Sequence, residues 1–514
     1  MKKLFIKAIA SILLPLSMAS CSDWLKVEME DKIMEPVLFS NYPGYVSALN
    51  GVYLSLNDYY SDAALMDILD VMAQYYDVTE NTSHTFKTYM AFAYNDSEFE
   101  AKNSSLWNQA YSIIANNNTI LDHLQNIEDT PLSEKQFNIL RGEVLALRAM
   151  LHFDLVRRHG SIYALNPDAE AIPYQDNTKR EILPILTHRQ VMDKIFRDLN
   201  EAASLLKDYD PIISEGTKDM VTEDNGVSSY DMAFRHLRLN YYAVQGLLAR
   251  AYLWIGDKPN AYRTAMEEVI EKNNTEDLKV FPWVTKEQIE ADKCPDLIFS
   301  SEIMFAMYNS DRYEQIYSKR FSQSLSMSNR LTFYGETMND SKVSLLYDNE
   351  NDYRRVQWKL VEPTQAEIDK ATEEGRDPKS TLYTTKYADF ENGASINGPA
   401  TYRYMVPMIR LSEMYLIAAE ATNDTKEAYR LLNELRINRL CPDIEEDGNL
   451  SRNITLEFAR EMVGEGQLFF FYKRRQELLL NSREGKFDFN MTLANYIWPL
   501  PESEINKRVT VNNK

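Results

Sequence analysis

The stretch that decides the fold is Arg410–Arg439, which reads RLSEMYLIAAEATNDTKEAYRLLNELRINR. Its first part, Arg410–Thr422, is rich in apolar and small residues, as expected of a buried helix. Asn423-Asp424 is a turn signal. Thr425–Arg439 then carries an apolar stripe at helical spacing, formed by Ala428, Leu431, Leu432 and Leu435. The sequence therefore predicts two helices joined by a tight turn.

An earlier segment follows the same plan. Asn240–Gly256 places apolar residues on one helical face, and Pro259 opens a second helix that runs to about Lys272. Ala261-Tyr262-Arg263 of this pair aligns with Ala428-Tyr429-Arg430 of the other. Repeated helix pairs of this size are typical of tetratricopeptide-like repeats.

The same reasoning organises the rest of the chain. Further helices are predicted from Trp107 to about Gln125, after Pro131 to Gly160, and from Thr187 to Lys207, whereas residues 208–229 and 362–399 are predicted to be long loops. We predict a mainly α fold of about four tetratricopeptide-like helix pairs with a loop-rich variable lobe. The expected division of a single 21–514 domain is a scaffold at 40–272 and 405–475 and a lobe at 273–404.

Composition restricts the partners. The 514 residues include 56 Lys+Arg and 77 Asp+Glu, which gives a net charge of −21. This charge argues against nucleic acid as a partner, since cationic side chains supply most of that affinity, and against docking on anionic lipid through a basic patch. Only 16 residues are glycine, which also favours helices over turn-dense β structure.

The N-terminus has the layout of a secretory signal. Met1–Lys7 is basic, Ala8–Leu16 is apolar, and small residues lead to Cys21. The cysteine at this place resembles a bacterial lipobox, which predicts a signal peptide at 1–20 and a lipid on Cys21. The alternative is an ordinary signal peptide with an incidental cysteine. After Cys21 only Cys294 and Cys441 remain; they could form one disulfide or stay free, and the sequence does not decide between these.

Several blocks, taken in order, resemble the SusD/RagB family of outer-membrane lipoproteins of Bacteroidetes. The family's start is matched by the signal and by Ala48–Tyr53. The later blocks are Glu143–Arg157 (EVLALRAMLHFDLVR), Arg410–Ala421 (RLSEMYLIAAEA), Leu432–Arg439 (LNELRINR), Glu457–Gly466 (EFAREMVGEG) and Trp498–Ile505 (WPLPESEI). The chain departs from the family pattern at Gln467-Leu468 and Phe471, which affects local ion pairs only.

The resemblance implies a function and a partner. It implies capture of a nutrient, typically an oligosaccharide, by a lipid-anchored protein on the outer membrane, and delivery to a TonB-dependent transporter of the SusC type. Such proteins bind without cutting, so neither catalytic residues nor a cofactor are expected. A peptide-binding uptake or assembly protein on the same fold is the alternative, and a hydrolase is a third.

Motifs for catalysis or metal binding are weak in this sequence. It contains no P-loop, HExxH or GxSxG pattern, and its six histidines lack ligand spacing. Asp443-x-Glu445-x-Asp447-Gly448 imitates a calcium loop, but Ile454 occupies the twelfth position, where that loop needs an acid. We expect no metal site.

Sugar binding needs flat rings beside polar groups, because a pyranose has an apolar face and a rim of hydroxyls. Two tyrosine-rich segments offer both, and we predict Tyr75, Tyr76, Tyr313 and Tyr334 as ligand-binding residues. Burial against the helices is the alternative for each ring, and the family resemblance does not carry these positions over. Tyr89, Phe92, Phe99 and the block Phe469–Tyr472 are expected to be core. The charged residues of the family blocks are expected to form structural ion pairs; these are Glu143, Arg148, Glu413, Arg436, Arg460 and Glu461.

Overall fold

The computed structural model describes residues 35–512 except 79–82, 218–232, 274–277, 336, 374, 376–379, 391–393, 396–397, 400 and 479–490. The predicted signal peptide and Cys21 therefore lie outside the described residues. The main helices are α1 (Tyr42–Asn57), α2 (Leu65–Met72), α3 (Ser97–Asp122), α4 (Glu134–His159), α5 (His188–Lys207), α6 (Tyr241–Trp254), α7 (Lys258–Arg263), α8 (Gln365–Glu373), α9 (Leu411–Ala421), α10 (Thr425–Ile437), α11 (Leu450–Glu461), α12 (Leu468–Arg475) and α13 (Glu502–Asn512). Shorter helices span Glu35–Leu38, Lys87–Met90, Ile212–Glu215, Lys286–Ile289, Ser318–Arg320 and Lys342–Leu346.

Helix α7 is extended by a wider turn. A π-helical segment, Thr264–Ile270, follows it directly and leads into Glu271–Asn273. The strands are short: β1 (Glu170–Ile172), β2 (Leu186–Thr187), β3 (Ile303–Tyr308), β4 (Phe333–Tyr334), β5 (Trp358–Val361), β6 (Thr381–Thr384), β7 (Ala394–Ser395), β8 (Gly398–Pro399) and β9 (Met405–Arg410). The mainly α prediction is confirmed.

The helices stack side by side in chain order. Helix α3 packs on α4, α4 on α5, α5 on α6, α6 on α7, and α9 on both α7 and α10. The two hairpins predicted from sequence are therefore present, and they adjoin each other through α7 and α9. Helix α4 lies at the centre of this stack, and its side chains are buried from Ile139 almost without interruption to His159.

Local capping explains where these helices begin. Ser133 and Gln136 form a capping box at α4, and Thr187 and Gln190 form another at α5, as two of the predicted starts require. Each such cap stabilises a helix end by about 1 kcal/mol. Helix α3 begins at Ser97, well before the predicted Trp107, because the Asp96 side chain accepts the N–H of Glu98.

The lobe, which we define as residues 273–404, is more ordered than the loop prediction allowed. Strand β6 is the central strand of an antiparallel sheet in the order β4-β6-β5, and α8 also lies within the segment 362–399. The prediction of a long loop there is wrong in this respect. Thr381–Thr384 reads TLYT and is fully buried, which suits a central strand. A second ladder pairs β3 with β9 and sets Tyr308 opposite Met405.

A buried ionic cluster joins the lobe to the helices. Glu461 accepts hydrogen bonds from Arg354 at 2.7 Å, Arg410 at 2.8 Å and Arg439 at 2.7 Å. Arg439 also reaches Glu302 at 2.6 Å. We define the cluster by its buried members Glu302, Asp352, Arg354, Arg410, Arg436, Arg439, Glu457, Arg460, Glu461 and Glu465.

The predicted structural ion pairs are confirmed. Outside the cluster they are Glu143 with Arg235, Arg148 with Asp198, and Glu413 with Arg250; within it, Arg436 and Arg460 both bind Glu457. Phe469, Phe470 and Phe471 are buried as predicted, and the rings of Phe458 and Phe471 stack with centroids 4.2 Å apart. Phe471, one of the departures from the family pattern, is thus a core residue.

Hydrogen bonds connect early parts of the chain, at α2 and α4, to residues 464–473. The Asp70 carboxylate accepts the N–H groups of Gly464 at 2.7 Å and Gly466 at 3.0 Å. The Lys473 ammonium donates to the carbonyls of Arg157 and Gly160, both at 2.7 Å, and so satisfies the C-terminal end of α4. These contacts join residues 464–473 to the early helices α2 and α4 in the core.

Candidate functional site

Two of the four predicted ligand tyrosines lie in the core. Tyr75 is 5% exposed and its hydroxyl donates to the Ala459 carbonyl at 2.5 Å. Tyr76 is 0% exposed, with its ring 6.0 Å from that of Phe333 beneath β4. Burial raises the pKa of both hydroxyls well above its ordinary value. Neither ring has an open face, so this correction removes Tyr75 and Tyr76 from the candidate ligand surface.

Only one of the other two predicted ligand tyrosines is exposed. Tyr313 is 36% exposed, whereas Tyr334 in β4 is 9% exposed and its N–H donates to Asp77 at 2.8 Å. The Tyr313 ring lies 5.4 Å from that of Tyr317. Because Tyr334 is buried, the structure corrects the prediction for this residue as well.

The structure adds two tyrosines that were not among the predicted ligand residues. Tyr308, at the end of β3, is 43% exposed, and its ring centroid lies 5.5 Å from that of Tyr404, just before β9. We call Tyr308, Tyr313 and Tyr404 the tyrosine face. The triplet Tyr402-Arg403-Tyr404 was a sequence signal for it, since aromatic and basic residues alternate there ahead of an apolar strand.

A buried arginine fixes the backbone that carries this face. Arg312 donates to the carbonyls of Tyr402 and Met405, both at 3.1 Å, and its guanidinium lies 5.6 Å from the Tyr387 ring centre. Burial lowers the pKa of Arg312 to about 10. The main chain adds a bond from Asn309 N–H to the Tyr404 carbonyl at 2.7 Å. The loop after β3 and the segment before β9 are therefore held as one unit.

A groove of about 350 Å³ opens beside Tyr308. On its floor the Arg238 guanidinium lies 4.7 Å above the Tyr53 ring, and the Tyr53 hydroxyl donates to Glu143 at 2.8 Å. Burial and the Glu143 charge raise the pKa of Tyr53 well above its ordinary value. Asn57 of α1 donates to the Tyr308 carbonyl at 2.8 Å and so fixes the wall. The lining combines apolar surface with amide and guanidinium groups, contributed by Asn50, Tyr53, Leu54, Phe234, Leu237, Arg238 and Tyr308.

A larger groove, of about 950 Å³, lies between β5 and the end of α10. Its aromatic residues, Tyr353 and Trp358, are buried, and Trp358 stacks on Phe333 with centroids 4.4 Å apart. Size alone therefore does not make it the better sugar site, because it presents no exposed ring among its described lining residues.

The described residues also bear on the metal, histidine and cysteine candidates. They contain no group of three or more His, Cys, Asp or Glu side chains placed to hold a metal ion. Asp447, from the calcium-like pattern, instead accepts hydrogen bonds from Tyr429, Asn449 and Asn453. Burial lowers the pKa values of His152 and His188 to about 3, which keeps both neutral. Cys294 and Cys441 are free, buried thiols.

Comparison with solved structures gives the same fold over nearly the whole chain. A SusD superfamily protein from Bacteroides vulgatus ATCC 8482 has a TM-score of 0.65 at 22% identity, covering 92% of this chain and 98% of that chain. A SusD superfamily protein from Bacteroides thetaiotaomicron VPI-5482 has a TM-score of 0.63 at 20% identity, with 91% and 98% covered. A laminarin-binding SusD-like protein has a TM-score of 0.57 at 16% identity, again with 91% and 98% covered. At such identities the likeness establishes the fold.

Family models match both halves of the sequence. A SusD-like model described as "Starch-binding associating with outer membrane" matches residues 25–221, and the model of the SusD family matches residues 305–513. No curated protein matches the chain. Within the described residues, every helix falls short of the length and apolarity needed to span a bilayer. On the two family models, which together cover well over half of it, this chain belongs to the SusD/RagB family.

Proposed function

We propose that this protein binds an oligosaccharide nutrient through the tyrosine face and the adjoining groove. The observation that carries the proposal is the exposed Tyr308, which lines a concave, partly polar groove, with the exposed Tyr313 five residues further along the chain. Exposed aromatic rings on a fixed backbone are suited to stack on the C–H face of a sugar. Nearby amide and guanidinium groups can pair with its hydroxyls.

The helices and the lobe have different tasks in this proposal. The lobe at 273–404 supplies the exposed tyrosines, and the helical part supplies most of the groove lining. Tyr334 is buried, so we do not include it among the proposed ligand contacts. The family's laminarin-binding and starch-binding descriptions support a glycan as ligand class.

Delivery and anchoring complete the proposal. A lipid on Cys21 would hold the protein on the outer membrane at the cell surface, where a SusC-like TonB-dependent transporter would receive the glycan. Several acyl chains anchor a protein firmly, since each buried CH₂ contributes about 0.8 kcal/mol. Fractionation of cells expressing Cys21→Ala should show loss of membrane retention, and transporter co-purification from membranes should accompany the wild-type protein only. Membrane retention of the variant in cells that lack the transporter would contradict the anchor.

Calorimetry with the protein purified from membranes in detergent tests the ligand class. A panel of oligosaccharides should yield at least one that binds the wild type. Tyr308→Ala and Tyr313→Ala should each weaken its binding by about fivefold or more, since stacked rings contribute about 1 kcal/mol or more. Tyr163→Ala, a half-buried tyrosine on the helical side, is the control and should bind as the wild type. Unchanged binding by both site variants would contradict the location.

A peptide ligand is the second candidate, and one observation favours it. A groove of about 300 Å³ lies among α5, α6 and the π-helical turn, lined by polar residues such as Gln245, Arg263 and Glu268 around Tyr252. Grooves of stacked helix pairs commonly accept extended peptides. Binding of peptides but of no oligosaccharide in the same panel would favour this function.

We propose no catalysis. Oligosaccharides recovered after long incubation with the protein should be intact by chromatography.

A further inference from the structure

One charged side chain lines the groove beside Tyr308, among the residues that the structure describes. It is Arg238, whose side chain is 20% exposed. The remaining lining consists of the amide of Asn50 and of apolar or aromatic side chains, so no described carboxylate lines the groove. A groove lined by a cation and by no acid contrasts with the net charge of −21 of the whole chain.

Most hydrogen-bond donors of Arg238 have no partner within the described part of the chain. A guanidinium carries five N–H groups, and in the described ranges Arg238 makes one hydrogen bond, from Nη2 to the side-chain oxygen of Asn50. Among the described carboxylates Glu143 lies closest, at 3.8 Å, which is beyond hydrogen-bond distance. The oxygens of Glu143 already accept hydrogen bonds from Arg235 and Tyr53. A ligand in the groove can therefore supply the acceptors that Arg238 lacks.

Other contacts hold the Arg238 guanidinium in place. It lies 4.7 Å from the centre of the Tyr53 ring, which is a cation–π distance. Arg235 binds Glu143 and also binds Asp210, through two hydrogen bonds of 2.9 Å. These three buried groups carry one negative charge in sum, because two carboxylates share one guanidinium. That charge attracts Arg238 without occupying its N–H groups, so the guanidinium is pre-organised for a ligand.

We propose that Arg238 is a ligand-binding residue and that it selects oligosaccharides carrying a carboxylate, as uronic acids do, over their neutral counterparts. This inference rests on the proposed function and adds the charge class of the ligand to it. The planar guanidinium matches the two oxygens of a carboxylate with two parallel N–H groups, whereas sugar hydroxyls offer weaker hydrogen bonds between a charged and a neutral group.

The groove places this contact beside the exposed ring. Tyr308 and Arg238 line the same volume of about 350 Å³, so a sugar unit seated on Tyr308 shares the groove with the guanidinium. Apolar side chains next to Arg238, among them Leu237 and Met307, lower the local dielectric. A hydrogen-bonded ion pair is stronger in such surroundings than in water.

The test uses the oligosaccharides of the proposed calorimetry in matched pairs. Each neutral member is compared with the same oligosaccharide oxidised at its primary hydroxyls to carboxylates, which keeps the linkages and the ring sequence. We expect the wild-type protein to bind at least one oxidised form about tenfold more tightly than its neutral counterpart, as one charged contact would give. Equal binding, or tighter binding of the neutral form throughout the panel, would overturn the inference. Weaker binding of the neutral form by Tyr308→Ala would in that case leave the proposed function standing.

Two substitutions of Arg238 separate its charge from its geometry. Arg238→Gln removes the charge, so we expect the two members of a pair to bind within about twofold of each other. Arg238→Lys keeps the charge but loses the parallel N–H groups, so we expect a preference of about threefold for the oxidised form. Circular dichroism and urea midpoints check that both variants are folded. A role limited to folding would weaken both members of a pair equally, and an unchanged ratio in Arg238→Gln would overturn the inference.

Arg355→Gln is the matched control, since Arg355 is a half-buried arginine that lines the larger groove. This variant should keep the preference of the wild type. Loss of the preference in Arg355→Gln rather than in Arg238→Gln would place the carboxylate in the larger groove and overturn the inference. Binding of peptides alone, with no oligosaccharide of either charge, would end the proposed function together with the inference.

Discussion

The buried ionic cluster and the tyrosine face use polar groups in opposite ways. In the cluster, each charge is removed from water and meets at least one opposite charge, and Glu461 meets three arginines. On the face, Tyr308 and Tyr313 remain exposed on a backbone that Arg312 fixes. The comparison teaches that buried polar residues of this chain, which pair with one another, stabilise the fold. Exposed polar and aromatic residues are the ones available to contact a ligand.

Breaking the cluster should give the largest effect. Glu461→Gln would leave the buried guanidiniums of Arg354, Arg410 and Arg439 without their shared charge, which in buried sites costs about 3–5 kcal/mol of unfolding free energy. Urea denaturation followed by circular dichroism measures this. Asp168→Asn, which breaks the exposed pair with Arg189, is the control and should leave the midpoint nearly unchanged. A Glu461→Gln protein as stable as the wild type would show that the cluster is not a structural unit.

Tyr76 tests whether a tyrosine predicted to bind ligand instead stabilises the core. Tyr76→Ala removes a fully buried ring that packs on Phe321 and Phe333, so we expect a loss of about 3–5 kcal/mol in unfolding free energy. Thermal and urea unfolding measure the loss. Tyr76→Phe keeps the ring and should recover most of the stability. Little loss in the alanine variant, combined with weaker glycan binding, would return Tyr76 to the ligand surface.

The cluster also predicts a pH dependence. Burial alone would raise the pKa of Glu457, but Arg354, Arg460 and Arg436 together lower it to about 2. A carboxyl with a folded-state pKa below its unfolded value stabilises the fold above the unfolded value, about 4.5, and this stabilisation is lost as pH falls toward 2. The stability advantage of the wild type over Glu457→Gln should therefore shrink by about 3 kcal/mol across this range. An advantage that is constant between pH 5 and the acid limit would contradict the pairing.

The smallest expected change in stability comes from the tyrosine face. Tyr313→Ala removes an exposed side chain, so unfolding free energy should stay within about 0.5 kcal/mol of the wild type even where glycan affinity falls. Paired calorimetry and urea melts on one preparation compare the two values. A stability loss equal to that of Tyr76→Ala would mean that the ring is part of the core.

Much of the helical part could be predicted from the sequence because its signals are local. Caps such as Ser133 and Asp424, and the apolar stripe of α10, fix helices without reference to distant residues. The ion pairs could be anticipated as a class from the family blocks. Their partners could not, since Arg439 and Glu302 are brought together only by the complete fold.

The tyrosines show why the site was harder to predict. Tyr75 and Tyr76 have polar neighbours in sequence, which favoured exposure. The structure uses that polarity internally: Asp77 binds Lys342 at 2.6 Å and the Tyr334 N–H, so the rings beside it face inward. A polar neighbour indicates exposure only when it has no structural partner, and the sequence alone does not reveal such partners.

The hydrogen bonds from Gly464 and Gly466 to Asp70 have a consequence for how this chain folds during synthesis. During synthesis, the Asp70 carboxylate is made 394 and 396 residues before the two backbone N–H groups that donate to it. The C-terminal carbonyls of α4 are likewise made long before Lys473, which donates to them. Until then the nascent chain lacks the contacts that close its core, so we expect the core to form only after residues 464–473 have been synthesised. Truncation before α12 should accordingly leave a protease-sensitive chain rather than a smaller stable one.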